Sequence, residues 1–326
     1  RIATATDAIA AYFKLGEAFG GMVLLAIVTN LPEIAITIVA AWHNNLDMAV
    51  SNILGGIAIQ TVVLVLIDIF GVGRSAPLTY KGSSNTLLLE GLALIFILTL
   101  VMIGKQFSPN ILILRSTPFE WMIAGIWLGS IYLISRQARN PTPHPRKGVY
   151  AHALHSHTSQ KAFNSDQIKP IRISLIVFSV GALATLIAGW TLEESGSLLA
   201  DRFNLGGVLF GATILALSTS LPEISTGIAS ARIKDYQMAI SDIFGGNAFL
   251  PVLCLVASMI SNSPVLPMLK PTDMYLTGIG ILLTGVYMTG MLLPGKKQIA
   301  RMGMDSLIVL IIYIVSIGGL FFLKKA

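Results

Sequence analysis

Charge is what this sequence has least of: 12% of its 326 residues are Asp, Glu, Lys or Arg, while 54% are hydrophobic and mean hydropathy is +0.76. A soluble domain carries roughly 25% charged residues, so the composition excludes one and implies a polytopic membrane protein. Cysteine is nearly absent too. Cys254 stands alone, which rules out an internal disulfide, and its apolar surroundings read as a small core residue. The strict apolar/polar alternation of a membrane β-barrel is missing. So are the n-region and h-region of a signal peptide. No HExxH, GxSxG or acidic diphosphate-binding cluster occurs, which leaves an intramembrane enzyme without the rest of its chemistry.

What the chain does have is long apolar runs, at roughly 15–42, 47–69, 85–104, 118–135, 170–190, 205–231, 237–261, 272–293 and 304–323. A span needs about 20 mostly apolar residues, so the expected fold is all-α with about nine transmembrane helices here. Residues 1–14 are short and mixed, and read as a connector. Lys and Arg concentrate in the connections near 71–84, 136–169, 232–236 and 294–303. Cytoplasmic loops carry that excess, so those connections are expected inside and the C-terminus outside, in a plasma (inner) membrane. The net charge of +6 is then a topology signal and gives no support to nucleic-acid binding.

Residues 24–58 and 214–248 repeat one another without a gap at an offset of 190. With the spans above, the first repeat enters the membrane from inside and the second from outside, so the repeats are expected to be inverted. Each holds one glutamate, Glu33 or Glu223, after a Leu-Pro in an apolar run. A carboxylate in hydrocarbon costs about 2.5–3.5 kcal/mol even on insertion scales, and persists where it meets a cavity, a partner or an ion. Pro32 and Pro222 cannot donate to the carbonyl one turn upstream, near Thr29 and Thr219. Carbonyl, hydroxyl and carboxylate oxygens gathered at a kink are hard ligands, suited to Na⁺, Ca²⁺ or Mg²⁺. The residues themselves therefore propose a cation site of Thr29, Asn30 and Glu33 facing Thr219, Ser220 and Glu223. Any one of these hydroxyls alone could equally bond its own helix; their duplication favours a ligand role. On the next helix of each repeat, Asn52, Gly56 and Gln60 form one stripe, as do Asp242, Gly246 and Leu250. Glycines 55–56 and 245–246 mark close helix crossings, and Asp242 is a third intramembrane acid in need of a role.

TNLPE and TSLPE, each followed by SNILGG or SDIFGG, resemble the α-1 and α-2 repeats of the sodium/calcium exchanger family within the cation/Ca²⁺ exchanger superfamily. The resemblance implies alternating-access antiport with no cofactor, Glu33 and Glu223 as Ca²⁺ ligands, and Thr29, Asn30, Thr219 and Ser220 as Ca²⁺ and Na⁺ ligands. It also implies a ten-helix plan with the first helix outside this chain. Sodium-coupled members place serines where this chain has Gly56 and Gly246, and an Asn or Asp where it has Gln60 and Leu250. The expected activity is therefore Ca²⁺ exchanged for H⁺ or Na⁺, with Asp242, Gln60 and Asn52 joining the site. A monovalent cation/proton (Na⁺/H⁺-type) antiporter and a cation channel stay open as alternatives. The expected partners are inorganic cations and the lipid bilayer, and the oligomeric state is left open.

The domain plan that follows is a first transmembrane half, 1–135, with the α-1 repeat at about 20–61. A cytoplasmic basic loop, 136–169, leads to a second half, 170–326, with the α-2 repeat at about 206–251. In the loop His152, His155 and His157 read as solvated residues, without the Cys or carboxylate company of a metal site. Asp68 and Glu90 are expected at exposed span ends, and Glu193, Glu194 and Asp201 on an outer loop.

Overall fold

The computed structural model describes residues 24–74, 76–108, 110–139, 171–202 and 210–323. Residues 1–14 and the loop from 140, with its three histidines, lie outside the described residues. Helices dominate: α1 (Leu24–Thr29), α2 (Leu31–Trp42), α3 (Leu46–Ile67), α4 (Leu78–Gly82), α5 (Asn85–Lys105), α6 (Pro118–Arg139) and α7 (Ile171–Arg202). After them come α8 (Ala216–Thr219), α9 (Leu221–Arg232), α10 (Tyr236–Phe249), α11 (Leu253–Ser261), α12 (Pro271–Leu292) and α13 (Met304–Leu323). A two-residue hairpin pairs β1 (Gln298–Ile299) with β2 (Met302–Gly303) just before α13.

Among the described residues, five helical stretches are long and apolar enough to cross a membrane: Leu46–Val72, Asn85–Lys105, Leu175–Gly196, Tyr236–Ser261 and Pro271–Leu292. They coincide with five of the apolar runs. The runs at 15–42 and 205–231 are each divided, α1 from α2 at Asn30 and α8 from α9 at Ser220. The cause is local. Pro32 and Pro222 sit in the first turn of the second helix, where a missing N–H is harmless. The residues before that turn leave helical geometry, Asn30 with ψ 13° and Ser220 with ψ 1°. Each repeat then makes the same turn. Asn44 (φ 56°) and Lys234 (φ 68°) take the left-handed conformation, and Asn45 and Asp235 cap the next helix by accepting from the N–H of Met48 and Met238.

Helix α3 is buried on almost every side, which is where a helix apolar all round belongs. It packs on α12, while α10 packs on α5, and α5 packs on α12. The outer faces of α5, α6, α7 and α13 present large apolar side chains such as Phe96, Leu128, Ile176, Leu183 and Ile314, as a surface in contact with lipid requires. Helix α7 crosses α2 at Gly189, where a Cβ would stand 2.7 Å from Ala35 Cβ and 3.0 Å from the Pro32 carbonyl oxygen.

Three expectations need correction. Residues 193–202 continue α7 as helix, so Glu193, Glu194 and Asp201 are not on a loop, and α6 runs on as far as Arg139. Asp68 and Glu90 are not exposed, at 0% and 3% accessibility. Asp68 is buried because it holds three donors. Its oxygens accept from Leu78 N (2.8 Å), Gly303 N (2.7 Å) and Ser306 Oγ (2.8 Å), tying the end of α3 to the starts of α4 and α13. The end of α11 carries the same device with its parts exchanged. Ser258 stands at the position equivalent to Asp68 and donates to Glu120 of α6 at 2.9 Å, while the N–H groups of Thr117, Val265 and Leu266 complete the carboxylate's shell.

Candidate cation site

The two breaks bring Asn30 and Ser220 into the interior, both at 0% exposure, with Glu33 and Glu223 one turn later and equally buried. A turn of helix separates each glutamate from its break, so both carboxylates are aimed by backbone geometry that the Leu-Pro pairs fix. Thr219 interacts with Glu33 and Thr29 with Glu223, a reciprocal exchange between the repeats. The charges of Glu33 and Asp242 both act on Glu223, which places the three acids around one region.

The two halves of the site differ in how their acids are served. Gln60 Nε2 donates to Glu33 Oε1 at 3.2 Å and to Asn30 Oδ1 at 3.3 Å. At the equivalent place in the second repeat stands Leu250, fully buried, which supplies no donor. Apart from the Thr29 hydroxyl, no side chain serves the two buried carboxylate oxygens of Glu223; Glu33 Oε2, Gln60 Oε1, Asn52 Oδ1 and Asn247 Oδ1 are buried without a hydrogen-bond partner. Buried oxygens in native proteins are almost always satisfied. The unsatisfied oxygens of Glu33 and Gln60, together with Glu223 and Asp242, could be completed by positive charge.

Each expected residue can now be placed. Thr219 and Ser220 hydroxyls donate to the Ala216 carbonyl of their own helix at 3.1 and 2.7 Å, which leaves their oxygens able to accept or ligate. Asp242 is held by two threonines: Thr226 Oγ1 at 2.6 Å and Thr29 Oγ1 at 3.4 Å. Gly246 lets α10 come close to the first break, since a Cβ there would stand 2.7 Å from Asn30 Nδ2, whereas one at Gly56 would meet Leu250 Cδ1 at 3.6 Å. Gln60 bridges Glu33 and Asn30. Asn52 is fully buried, and neither atom of its amide has a partner. No group of three or more acidic, His or Cys side chains converges tightly enough to grip a metal ion among the described residues, so a cation here would rely on amide, hydroxyl and carbonyl oxygens beside the acids.

Sequence reasoning missed Thr226 and Asn247. Asn247 is buried and donates to the Ile57 carbonyl (3.4 Å) and Thr61 Oγ1 (3.3 Å), so it stitches the second helix of one repeat to that of the other. A polar residue directly after a Gly-Gly pair in an apolar run was the available signal. Its counterpart, Ile57, is apolar, so the comparison of repeats hid it.

The family model described as sodium/calcium exchanger protein matches residues 1–135 and 173–322. The chain is 24% identical over 274 residues to the inner membrane protein YrbG of Escherichia coli (strain K12), covering 84% of this chain and 78% of that one. It is 25% identical over 250 residues to the putative antiporter CaxA of Alkalimonas amylolytica, covering 76% and 72%. Among solved structures, the sodium-calcium exchanger NCX_Mj shares its fold with a TM-score of 0.62 and 17% identity over 97% of this chain and 91% of that one. Native YfkE aligns with a TM-score of 0.62 and 16% identity over 98% and 87%. Of these relatives, one is described as a sodium-calcium exchanger and one as a putative antiporter. The chain is an integral membrane protein that belongs to the sodium/calcium exchanger family.

Proposed function

We propose that this protein is a secondary active cation antiporter that exchanges Ca²⁺ for H⁺ or Na⁺ by alternating access. The repeats, 20–61 and 206–251, have inverted topology and build one site between them, with Glu33 and Glu223 holding a single cation jointly. The observation that carries this reading is the set of buried oxygens short of donors on Glu33, Glu223 and Gln60. Hard oxygens of that kind suit Ca²⁺, which takes six to eight of them at about 2.3–2.6 Å. Membership of the exchanger family supports the same cargo.

A rocking movement of one bundle against the other would expose the site to each face in turn. Helix α7 is the moving part described here. It lies against α2 beside the first break, through the close contact at Gly189, and its remaining surface is largely exposed to the surroundings. The basic connection after Arg139 is assigned to the cytoplasm and the C-terminus to the outside, in the inner membrane that YrbG's description also names.

The monovalent cation/proton reading has one observation in its favour: the Gln60 amide already occupies Glu33 Oε1 and Asn30 Oδ1. The test is transport in proteoliposomes, with Ca²⁺ uptake driven in turn by an outward Na⁺ gradient and by a proton gradient. Uptake under one of the two is the expected result. Cation flux with no counter-ion in either direction would favour a channel and overturn the proposal.

A further inference from the structure

Ser51 and Ser241 are equivalent residues, each immediately before a polar side chain of the site, Asn52 or Asp242. Each is bonded to a carboxylate on another helix: Ser51 Oγ donates to Asp273 Oδ1 of α12 at 3.4 Å, and Ser241 Oγ to Glu90 Oε1 of α5 at 2.9 Å. The two carboxylates differ in one respect. Asp273 uses its second oxygen to accept the Lys270 N–H at 2.7 Å and so caps α12. Glu90, 3% exposed, has a second oxygen that is buried and meets no partner. Capping explains Asp273; nothing in the packing explains Glu90.

The neighbours of Glu90 decide what it can take. Gly91 beside it faces the side chains of Met288 and Phe244, and Leu87 and Leu94 are buried on the same helix. The oxygens brought together are the two of Glu90 and the hydroxyl of Ser241. That is far short of the six or more that dehydrated Ca²⁺ requires, whereas a proton needs only one. The titratable groups on the packed helices have other partners. On α10, Asp242 is held by Thr29 and Thr226, and Tyr236 lies under Lys81. On α12, Asp273 is held by Ser51 and Lys270 N, Tyr287 by Ser306 and Tyr275 by the Ser316 carbonyl. On α6, Glu120 is held by Ser258. Among the described residues no Lys or Arg is paired with Glu90, whose side-chain partner is Ser241.

We propose that Glu90 is a proton-binding position of the transporter, separate from the site of Glu33 and Glu223; the inference rests on the antiport reading. Ser241 lies five residues after Tyr236, about 7.5 Å along the helix, and Tyr236 and Lys81 mark the nearer face. Where Glu90 is open to water at that face it takes a proton from hydronium, forming its O–H bond and leaving water. When that O–H bond breaks, the proton returns to water. The protonated carboxyl can stay within the apolar contact between the helices, and the carboxylate cannot, so loading Glu90 biases which arrangement is populated.

The test is Glu90→Gln in reconstituted protein, with three readouts. Radiolabelled Ca²⁺ self-exchange, which needs only the central site, should stay within about twofold of wild type. Net Ca²⁺ uptake driven by a proton gradient should be lost and its pH profile flattened. Infrared spectroscopy should show a protonated-carboxyl carbonyl band in the wild type that the variant lacks. Ser241→Ala, which keeps the carboxyl, should retain that band and shift the pH profile. Unchanged proton-driven uptake by Glu90→Gln, an unchanged infrared band, or joint loss of self-exchange and net uptake would each overturn the proposal. The central site fails on a different result, self-exchange that survives Glu33→Gln.

Discussion

Glu223→Gln should stabilise the empty protein while removing its response to cations. Both Glu223 oxygens are buried with only the Thr29 hydroxyl to serve them, and the charges of Glu33 and Asp242 act on them. A buried polar group left unsatisfied costs about 1–3 kcal/mol, and more when charged. An amide at this place can donate toward Glu33 and Asp242, where the carboxylate could only repel them. The gain should be about 1–3 kcal/mol in the empty state. In the wild type, Ca²⁺ at about a hundredfold excess over its Kd should add roughly 2.7 kcal/mol, and the variant should lose this. Glu33→Gln should gain less, because the Gln60 amide already serves one Glu33 oxygen. Thermal unfolding of purified protein, with and without Ca²⁺, reads both effects. Lower stability of empty Glu223→Gln, or a cation-induced shift equal to that of the wild type, would refute the reasoning.

Further outcomes follow from the same geometry. Cysteines introduced near Asn30 and near Ser220 should react with water-soluble reagents from opposite faces of the membrane, in a manner that changes with the ion present; labelling indifferent to ion and side would contradict a carrier. Asp242→Asn should flatten the pH dependence of cation exchange, since a carboxylate there can carry a proton or Na⁺ and an amide cannot. Gly246→Ser with Leu250→Asp should strengthen Na⁺ dependence by returning oxygens to both positions; the new serine meets the Asn30 amide, so a variant indifferent to Na⁺ would count against Asn30 as a ligand. Asp68→Ala, which strands three donors, should cost at least about 1–3 kcal/mol of stability while leaving ion selectivity unchanged, as thermal unfolding and competition uptake will tell.

The parts of the molecule legible in the sequence were those fixed by neighbours along the chain. Leu-Pro-Glu dictated the breaks at Asn30 and Ser220, because proline constrains only the turn around itself. The glycine at 246 announced a close crossing, which Asn30 fills. What stayed hidden was set by partners far apart in sequence. Nothing near Glu90 foretells Ser241, 151 residues away, and nothing near Asp68 foretells Ser306, 238 residues away, so the sequence points to exposed span ends for both acids. The stripe marks Gln60 only as one more polar residue of the site; that its amide reaches Glu33 and Asn30 depends on the crossing of α2 and α3. The length of α7 misled for another reason. Its last ten residues, 193–202, are polar enough to read as loop, yet contain no proline or glycine other than Gly196 to stop the helix.

The central claim is that Glu33 and Glu223 hold one cation between them. Its most direct test is radiolabelled Ca²⁺ self-exchange in proteoliposomes by the wild type, Glu33→Gln and Glu223→Gln, each shown to be folded by thermal unfolding. The account predicts exchange by the wild type and none by either variant; exchange by either variant at close to the wild-type rate would contradict it.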